Sequence, residues 1–169
     1  MSIWSVAMKQ IYKSDFVLLD EKLIICSTDS GLCSFGHELP NINEVKWVTG
    51  EAADQQNQKY MDEMQAYAAG ELPDFNWTYD LTGTSFQLEV WEALRTIPYG
   101  TTRTYSDVAD MIGRAAAVRA VGGAIGRNPV LISIPCHRVI GKNGKLTGFS
   151  SGLHLKRRLL AIEAVPYND

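Results

Sequence analysis

The sequence has few of the residues that build disulfide frameworks or metal centres. Its 169 residues include three cysteines and three histidines. An odd cysteine count without disulfide-framework spacing is typical of a reducing compartment, so we expect a cytoplasmic protein. Cys26, Cys33 and His37 lack a convincing four-ligand spacing, so we expect no metal. A chain of this length can bury enough apolar surface to fold without cross-links.

Long apolar runs and segments of biased composition are also missing. No stretch approaches the ~20 apolar residues that a membrane span needs, so no membrane partner is expected. Residues 1–9 lack a basic segment followed by a long apolar run, so we expect no secretory signal. Internal repeats and low-complexity tracts are absent from the sequence. The length suits one compact unit or two small domains.

Charge is distributed unevenly between the two halves of the chain. Residues 1–84 contain 5 Lys or Arg against 13 Asp or Glu, whereas residues 85–163 contain 11 against 5. The basic half suggests contact with a polyanion such as nucleic acid. A solvated basic face without a partner is the alternative. A last helix, predicted over residues 153–163, would carry a basic face at residues 156–158.

Apolar segments separated by turn residues predict a small antiparallel sheet near the start of the chain. Residues 16–19 and 22–26 are strand-like, and residues 32–35 follow a turn and pair back. Residues 51–69 have helical propensity. Residues 75–81 alternate apolar with polar side chains, which predicts a strand or an extended connector.

The second half of the chain predicts short helices that begin with capping residues. Thr84 and Gln87 form a capping-box pattern at the start of one helix. Thr104 with Asp107 opens another, which ends before a third helix over residues 115–125. The second and third of these helices suggest a helix-turn-helix.

The predicted third helix is unusually thin. Its two interior glycines, Gly122 and Gly123, each cost about 1 kcal/mol relative to alanine. Close approach to another backbone, of a neighbouring helix or of a nucleic acid, would offset that cost. Arg114, Arg119 and Arg127 lie on or beside the segment and favour nucleic acid. Small residues would also let the helix enter the narrow minor groove.

The polar residues Cys136, His137 and Arg138 follow an apolar run at residues 130–134. The run predicts a buried strand, which Pro135 would end. The thiolate is the reactive form of cysteine, and an adjacent imidazole can take the thiol proton while a third group orients the imidazole. Spacing alone leaves two interpretations of Cys136, a nucleophile or a buried structural thiol.

Residues 135–139, Pro-Cys-His-Arg-Val, together with Asn128, resemble the active-site signature of a known family. This family is the O6-alkylguanine-DNA alkyltransferases, also called methylated-DNA–protein-cysteine methyltransferases. The resemblance covers about residues 83–163. Residues 119–124 are similar to the family's recognition helix, and residues 159–163 to the segment that ends in its active-site Glu.

The resemblance implies an α+β fold with two domains. Residues 1–82 would form an N-terminal α/β domain with an RNase H-like arrangement and a small antiparallel sheet. Residues 83–169 would form a mostly helical C-terminal domain with a helix-turn-helix and the active-site cysteine.

The activity that the resemblance implies is direct-reversal DNA repair. The protein would bind double-stranded DNA containing alkylated guanine through the minor groove and flip the damaged base out of the stack. It would then transfer the alkyl group from O6-alkylguanine, and also from O4-alkylthymine, to Cys136. The thioether product cannot be reversed, so each molecule would act once. No cofactor is needed, and a monomer is expected.

The resemblance also assigns roles to individual residues. In the family a Cys–water–His–Glu relay makes the thiolate, and its members here are Cys136, His137 and Glu163, with Asn128 fixing the turn. The DNA and base contacts are Tyr105 at the 3′ phosphate and the flipped base, Ser106 and Arg114 at the DNA backbone, Arg119 in the place that the base leaves, the carbonyls of Cys136 and Val139 at the guanine amine, and Ser150 at the alkylated oxygen.

The sequence departs from the family pattern at three positions. Ser151 stands where many members have Gly, Phe149 where some have Tyr, and Ile162 where His is common. The first two lie in the implied lesion pocket, so the range of alkyl groups stays open. Three other functions are conceivable: a lesion-binding protein without transfer, whose known relatives carry Trp in place of the cysteine, a helix-turn-helix transcription regulator, and a cysteine hydrolase.

Overall fold

The computed structural model describes residues 8–169. A four-stranded sheet contains β1 (Lys9–Leu18), β2 (Glu21–Thr28), β3 (Gly31–Gly36) and β4 (Val45–Val48), in the order β3-β2-β1-β4. β1 and β3 are antiparallel to β2, whereas β4 is parallel to β1. The expectation of no secretory signal falls almost entirely on residues 1–7, outside the described part of the chain.

Two tight turns set the register of the antiparallel strands. Leu19 and Asp20 both have positive φ, 52° and 62°, as in the turns that suit the twist of a hairpin. Gly31 has a φ of 146°, and a Cβ there would lie 2.5 Å from the Thr78 carbonyl oxygen, so the position requires glycine. The three predicted strands are confirmed. The short β4 was missed, because its half-buried and exposed side chains show no alternating pattern.

A buried asparagine fastens helix α1 (Glu51–Ala68) to the sheet. Asn57 donates through Nδ2 to the Tyr12 carbonyl at 3.1 Å and to Ser14 Oγ at 3.0 Å. Ser27 Oγ donates to Asn57 Oδ1 at 2.6 Å. Because these polar groups satisfy one another away from water, the network fixes the helix relative to β1 and β2. The predicted helix over residues 51–69 is confirmed.

An extended connector follows α1 and runs beside β3. Leu32 N donates to the Thr78 carbonyl at 3.0 Å, and Asp80 N donates to the Leu32 carbonyl at 2.9 Å. Tyr79 forms a parallel bridge with Leu32. Of the two structures predicted for residues 75–81, the extended connector is the one observed.

Short helices and one small pair of strands make up the second half of the chain. They are α2 (Ser85–Arg95), β5 (Arg103–Thr104), α3 (Tyr105–Met111), α4 (Val118–Gly126), β6 (Val139–Ile140) and α5 (Leu153–Ile162). Single 3₁₀ turns occur at Ala115–Ala117, Cys136–Arg138 and Lys142–Gly144. The predicted capping box of Thr84 and Gln87 is present, and the predicted helix start at Thr104 and Asp107 also has a capping box.

The predicted strand over residues 130–134 is wrong. The segment is a series of turns in which Val130 bridges to Phe35 of β3. Ile132 has a φ of 71°, and Ser133 N donates to the Leu131 carbonyl at 2.8 Å. All five residues are buried. Burial therefore explains the apolar run, because a run of this length does not distinguish a strand from other buried backbone.

One apolar core extends through both halves of the chain. It joins Phe35 of the sheet and Tyr67 of α1 to Leu94 of α2, Val121 of α4 and Leu159 of α5. The division at residues 82 and 83 stays a prediction, and its two parts share this core. In the described residues, 8–169, no helix is both long and apolar enough to cross a membrane.

Replacing Asn57 tests the polar network beneath α1. We expect Asn57→Ala to lower the free energy of unfolding by about 2–3 kcal/mol, because buried hydroxyl and carbonyl groups lose their partners. Urea denaturation measures the change. Gln58→Ala, an exposed change on the same helix, is the control and should alter the free energy by less than about 0.5 kcal/mol. Equal effects of the two substitutions would contradict the role of Asn57.

Candidate active site

Asn128 shapes the turn that carries Cys136. Its Nδ2 donates to the Ile134 carbonyl at 2.8 Å and lies 3.1 Å from Cys136 Sγ. Its Oδ1 accepts from Val130 N at 3.0 Å. One side chain thus joins both ends of the irregular segment and contacts the sulfur.

The Cys136 thiol is buried, with 2% of the residue exposed. Burial raises its pKa, while the hydrogen bond from Asn128 and the nearby charge of Lys156 oppose that rise. The Asn128 amide donor at the sulfur and the charge of Lys156 both stabilise a thiolate more than a thiol.

His137 and Glu163 form a fully buried pair. His137 Nε2 lies 2.6 Å from Glu163 Oε1, and neither side chain is exposed. Burial lowers the pKa of His137, and the hydrogen bond and charge of Glu163 act against it. Since an ionised carboxylate only accepts, Nε2 carries the hydrogen and Nδ1 has a free lone pair. Nδ1 is buried and has no hydrogen-bond partner among residues 8–169.

Glu163 is the centre of a dense set of donors. Arg138 Nε donates to Oε2 at 2.9 Å and Nη2 to Oε1 at 3.1 Å. Gly100 N donates to Oε2 at 3.0 Å, and the Tyr67 hydroxyl donates to Oε1 at 2.6 Å. Burial alone raises the pKa of Glu163, but His137, Arg138 and Tyr67 outweigh it and lower the pKa to about 2. The carboxylate therefore stays ionised and holds its partners in place.

Lys156 is buried rather than on a basic face, so this part of the sequence prediction is wrong. Its Nζ donates to the Val139 carbonyl at 2.5 Å and to the Thr147 carbonyl at 3.2 Å. Burial lowers its pKa to about 8. The neighbouring Arg157 and Arg158 do lie nearer the surface, but they pair with acidic side chains. The lysine stem and its two carbonyl acceptors explain why α5 tolerates the buried charge.

A cavity of about 590 Å³ opens beside the sulfur. Its lining consists of small and aromatic residues with the thiol among them, namely Tyr105, Gly122, Ile125, Gly126, Cys136, Thr147, Gly148, Phe149 and Ser150. The Tyr105 hydroxyl lies 3.5 Å from the Thr147 and Gly148 carbonyl oxygens. Tyr105 and Ser150, both predicted as base contacts, thus share one cavity with Cys136.

Three predicted DNA contacts lie on α3, on α4 and in the turn between them. Arg119 is exposed on α4, and Ser106 on α3 is half-buried. Arg114 is exposed and donates to Glu89 at 3.0 Å, so this predicted DNA contact already has a protein partner. A Cβ at Gly122 would lie 3.7 Å from the Tyr105 ring, so the neighbour of this glycine within the protein is a side chain and not the backbone of another helix.

The cysteines outside this site are packed in the sheet. Cys33 Sγ donates to the Cys26 carbonyl at 3.2 Å, and both thiols are buried and free. His37 contacts Glu21 at 3.1 Å. Within residues 8–169, no group of three or more His, Cys, Asp or Glu is arranged to hold a metal.

The fold is that of a class of DNA-repair methyltransferases. Residues 85–165 match the family described as 6-O-methylguanine DNA methyltransferase, DNA binding domain. The inducible methylated-DNA–protein-cysteine methyltransferase of Bacillus subtilis strain 168 is 44% identical over 161 residues, which is 90% of each chain. The chain therefore belongs to the methylated-DNA–protein-cysteine methyltransferase family.

Mycobacterium tuberculosis supplies a second set of relatives. The methylated-DNA–protein-cysteine methyltransferase of strain H37Rv is 56% identical over 103 residues, or 61% of this chain. That alignment spans 62% of the relative's own length. The crystal structure of M. tuberculosis OGT in complex with DNA has a TM-score of 0.79 and 42% identity, covering 91% of this chain and 92% of the other. This similarity confirms the α+β fold over most of the chain.

Acid titration tests the donor set around Glu163. Because the folded-state pKa lies below the ordinary 4.5, ionised Glu163 adds stability above about pH 4.5 that is lost as pH falls towards 2. We expect Glu163→Gln to destabilise the protein at pH 6, and its deficit relative to wild type to shrink by about 2 kcal/mol at pH 3. Urea denaturation at both pH values measures the deficit.

Glu92→Gln is the matched control for this titration, because the Glu92 side chain is 66% exposed. It should change the unfolding free energy by less than about 0.5 kcal/mol at either pH. A Glu163→Gln deficit of the same size at pH 6 and pH 3 would contradict the depressed pKa of Glu163.

Proposed function

We propose that this protein repairs DNA by moving the alkyl group of O6-alkylguanine onto Cys136 Sγ, once per molecule. The observation that carries the proposal is the thiol itself. Cys136 lines a cavity able to hold a base, and the next residue, His137, pairs with a buried carboxylate. The family to which the chain belongs is named for transfer to cysteine.

The active-site residues would generate the thiolate by moving the thiol proton to His137. The free lone pair on His137 Nδ1 is the base, and a bridging water carries the proton to it from Sγ. Ionised Glu163 then stabilises the imidazolium through Nε2–H. Asn128 and the Lys156 ammonium stabilise the negative sulfur.

Transfer itself would be a displacement at the alkyl carbon. The sulfur electron pair forms the new C–S bond, and the C–O6 bond breaks with its electrons moving to the guanine. Ser150 and the Tyr105 hydroxyl, at the cavity wall, would donate hydrogen bonds to the departing base. The thioether has no proton to lose and cannot become a thiolate again, so the reaction stops after one turnover and needs no cofactor.

The DNA partner would be a duplex with an alkylated base, bound through the minor groove. Arg119 projects from the exposed side of α4, where small residues let the helix approach the groove closely. The base would rotate into the cavity beside Cys136, Arg119 would fill its place, and Ser106 and Arg114 would contact phosphates. The carbonyls of Cys136 and Val139 would accept from the guanine amine.

Several finer features belong to the same proposal. O4-alkylthymine presents a comparable alkyl–oxygen bond and would be a second substrate. The protein would act as a monomer on one lesion and in the cytoplasm, where the surroundings keep its thiols reduced. The helix-turn-helix formed by α3 and α4 would carry the DNA contacts.

Stoichiometry tests the alkyl transfer. With excess duplex carrying one radiolabelled O6-methylguanine, we expect one methyl group per chain, located on Cys136 by peptide mass, and no further turnover. Cys136→Ala should lose transfer entirely and keep DNA binding, whereas Cys33→Ala should transfer normally.

Other outcomes of this experiment identify the alternative functions. Tight lesion binding without label would indicate a lesion-binding protein, and repeated turnover with an intact thiol would indicate a hydrolase. Equal affinity for alkylated and normal DNA would contradict the proposal.

Arg119→Ala tests the flipping step. Arg119 would hold the duplex open, so its loss should slow transfer from duplex DNA by about tenfold or more and leave reaction with free O6-methylguanine nearly unchanged. Single-turnover rate constants for the two substrates give the comparison. Arg157→Ala, which removes a surface cation paired with Asp169, is the control. An equal loss of rate on both substrates would contradict the role of Arg119.

A further inference from the structure

We propose that Tyr67 is a positioning residue through which the N-terminal half of the chain sets the basicity of His137. The inference rests on the proposed function, because it concerns the proton acceptor for Cys136. Tyr67 is far from the signature motif in sequence. It belongs to the last turn of α1, whereas the other parts of the relay follow residue 127.

The geometry makes Tyr67 a member of the buried cluster. Its hydroxyl donates to Glu163 Oε1 at 2.6 Å and lies 3.2 Å from His137 Nε2. The residue is fully buried. Its ring meets His137 and Tyr99 nearly edge-on, with centroids 6.4 Å and 6.2 Å away. Since the ring is packed on both sides, the hydroxyl has little freedom to point elsewhere.

The charged and titratable groups around His137 come from five places in the chain. They are Glu163 after α5, Lys156 within α5, Cys136 and Arg138 in the 3₁₀ turn, Tyr99 after α2, and Tyr67 on α1. Burial and the Glu163 charge raise the pKa of Tyr67, so its hydroxyl keeps its proton at every pH at which the protein works. Tyr67 therefore acts as a constant donor, not as an acid.

A constant donor on Oε1 competes with the imidazole for the same oxygen. Oε1 accepts from His137 and Tyr67, each at 2.6 Å, and from Arg138 Nη2 at 3.1 Å. Each donor draws charge from the oxygen and weakens its hold on the Nε2 proton. With the Tyr67 hydroxyl in place, Glu163 is a weaker partner for imidazolium. The pKa of His137 is therefore lower with the Tyr67 hydroxyl in place, and the imidazolium gives up its proton more readily.

Tyr67→Phe removes the donor and keeps the ring. Glu163 then stabilises imidazolium better, so the pKa of His137 rises and the acid limb of Cys136 reactivity moves to higher pH, by about 0.5–1 unit. We would follow two reactions of Cys136 against pH, single-turnover transfer from O6-methylguanine duplex and alkylation by iodoacetamide, with the modified cysteine identified by peptide mass.

Tyr60→Phe is the matched control. Tyr60 lies two helical turns earlier on α1 and packs edge-on against Trp77, with centroids 5.0 Å apart. It should leave both pH profiles unchanged. If the acid limbs of the two Cys136 pH profiles are the same in Tyr67→Phe as in wild type, the proposal is overturned. A shift of equal size in Tyr60→Phe would overturn it as well.

The iodoacetamide reaction separates this proposal from the proposed function. It needs no DNA and no transferase activity. If wild type fails to take methyl from DNA and the iodoacetamide limb still shifts in Tyr67→Phe, the proposed function fails and the role of Tyr67 stands.

A second variant guards against loss of the fold. Incorporating 3-fluorotyrosine at position 67 keeps the ring and the hydroxyl but makes the hydroxyl a stronger donor, so the acid limb should move to lower pH. A shift in the same direction as Tyr67→Phe, or none, would overturn the proposal.

Discussion

An ionised carboxylate in an apolar interior is tolerated only when donors replace the water it loses. Glu163 meets that condition with donors from three separate parts of the chain. Arg138 supplies the opposite charge, and the backbone of Gly100, the hydroxyl of Tyr67 and the imidazole of His137 supply further donors. Removing any one of them leaves a buried charge underpaired. All the segments that carry these donors must therefore be in place for the buried Glu163 carboxylate to be stabilised.

The irregular backbone before Cys136 is likewise stabilised by hydrogen bonds to its polar groups. In a regular strand, successive side chains would point to opposite faces of the sheet, and the direction of the Cys136 side chain would be fixed by that alternation. Instead, the turns at residues 130–134 are held on one side by β3, where Phe35 N donates to the Pro129 carbonyl at 2.9 Å and Leu131 N to the Phe35 carbonyl at 2.9 Å. Asn128 holds the other side. The sulfur can then face a cavity while its neighbours stay buried.

Local features of the sequence predicted much of this structure. Capping boxes at Thr84 and Thr104 act over three residues, so their pattern is sufficient to place the start of a helix. The short motif around Cys136 indicated His137 and Arg138, which contact Glu163, and Asn128, which contacts the Cys136 sulfur. The sequence analysis missed the site residues whose place depends on tertiary packing. Nothing in the pattern of α1 or α5 distinguishes Tyr67 or Lys156 from ordinary helix residues. The turns at residues 130–134 were also not predicted, because their apolar composition is that of a buried strand.

The core that joins the two halves has a consequence for how the chain could be divided. Phe35 and Tyr67 on one side of the connector pack into the same cluster as Leu94 and Leu159 on the other. A cut in the extended connector would sever one peptide bond but leave this shared interior intact. The two fragments would then behave as complementary pieces that stay associated, and neither alone would hold a complete Glu163 environment.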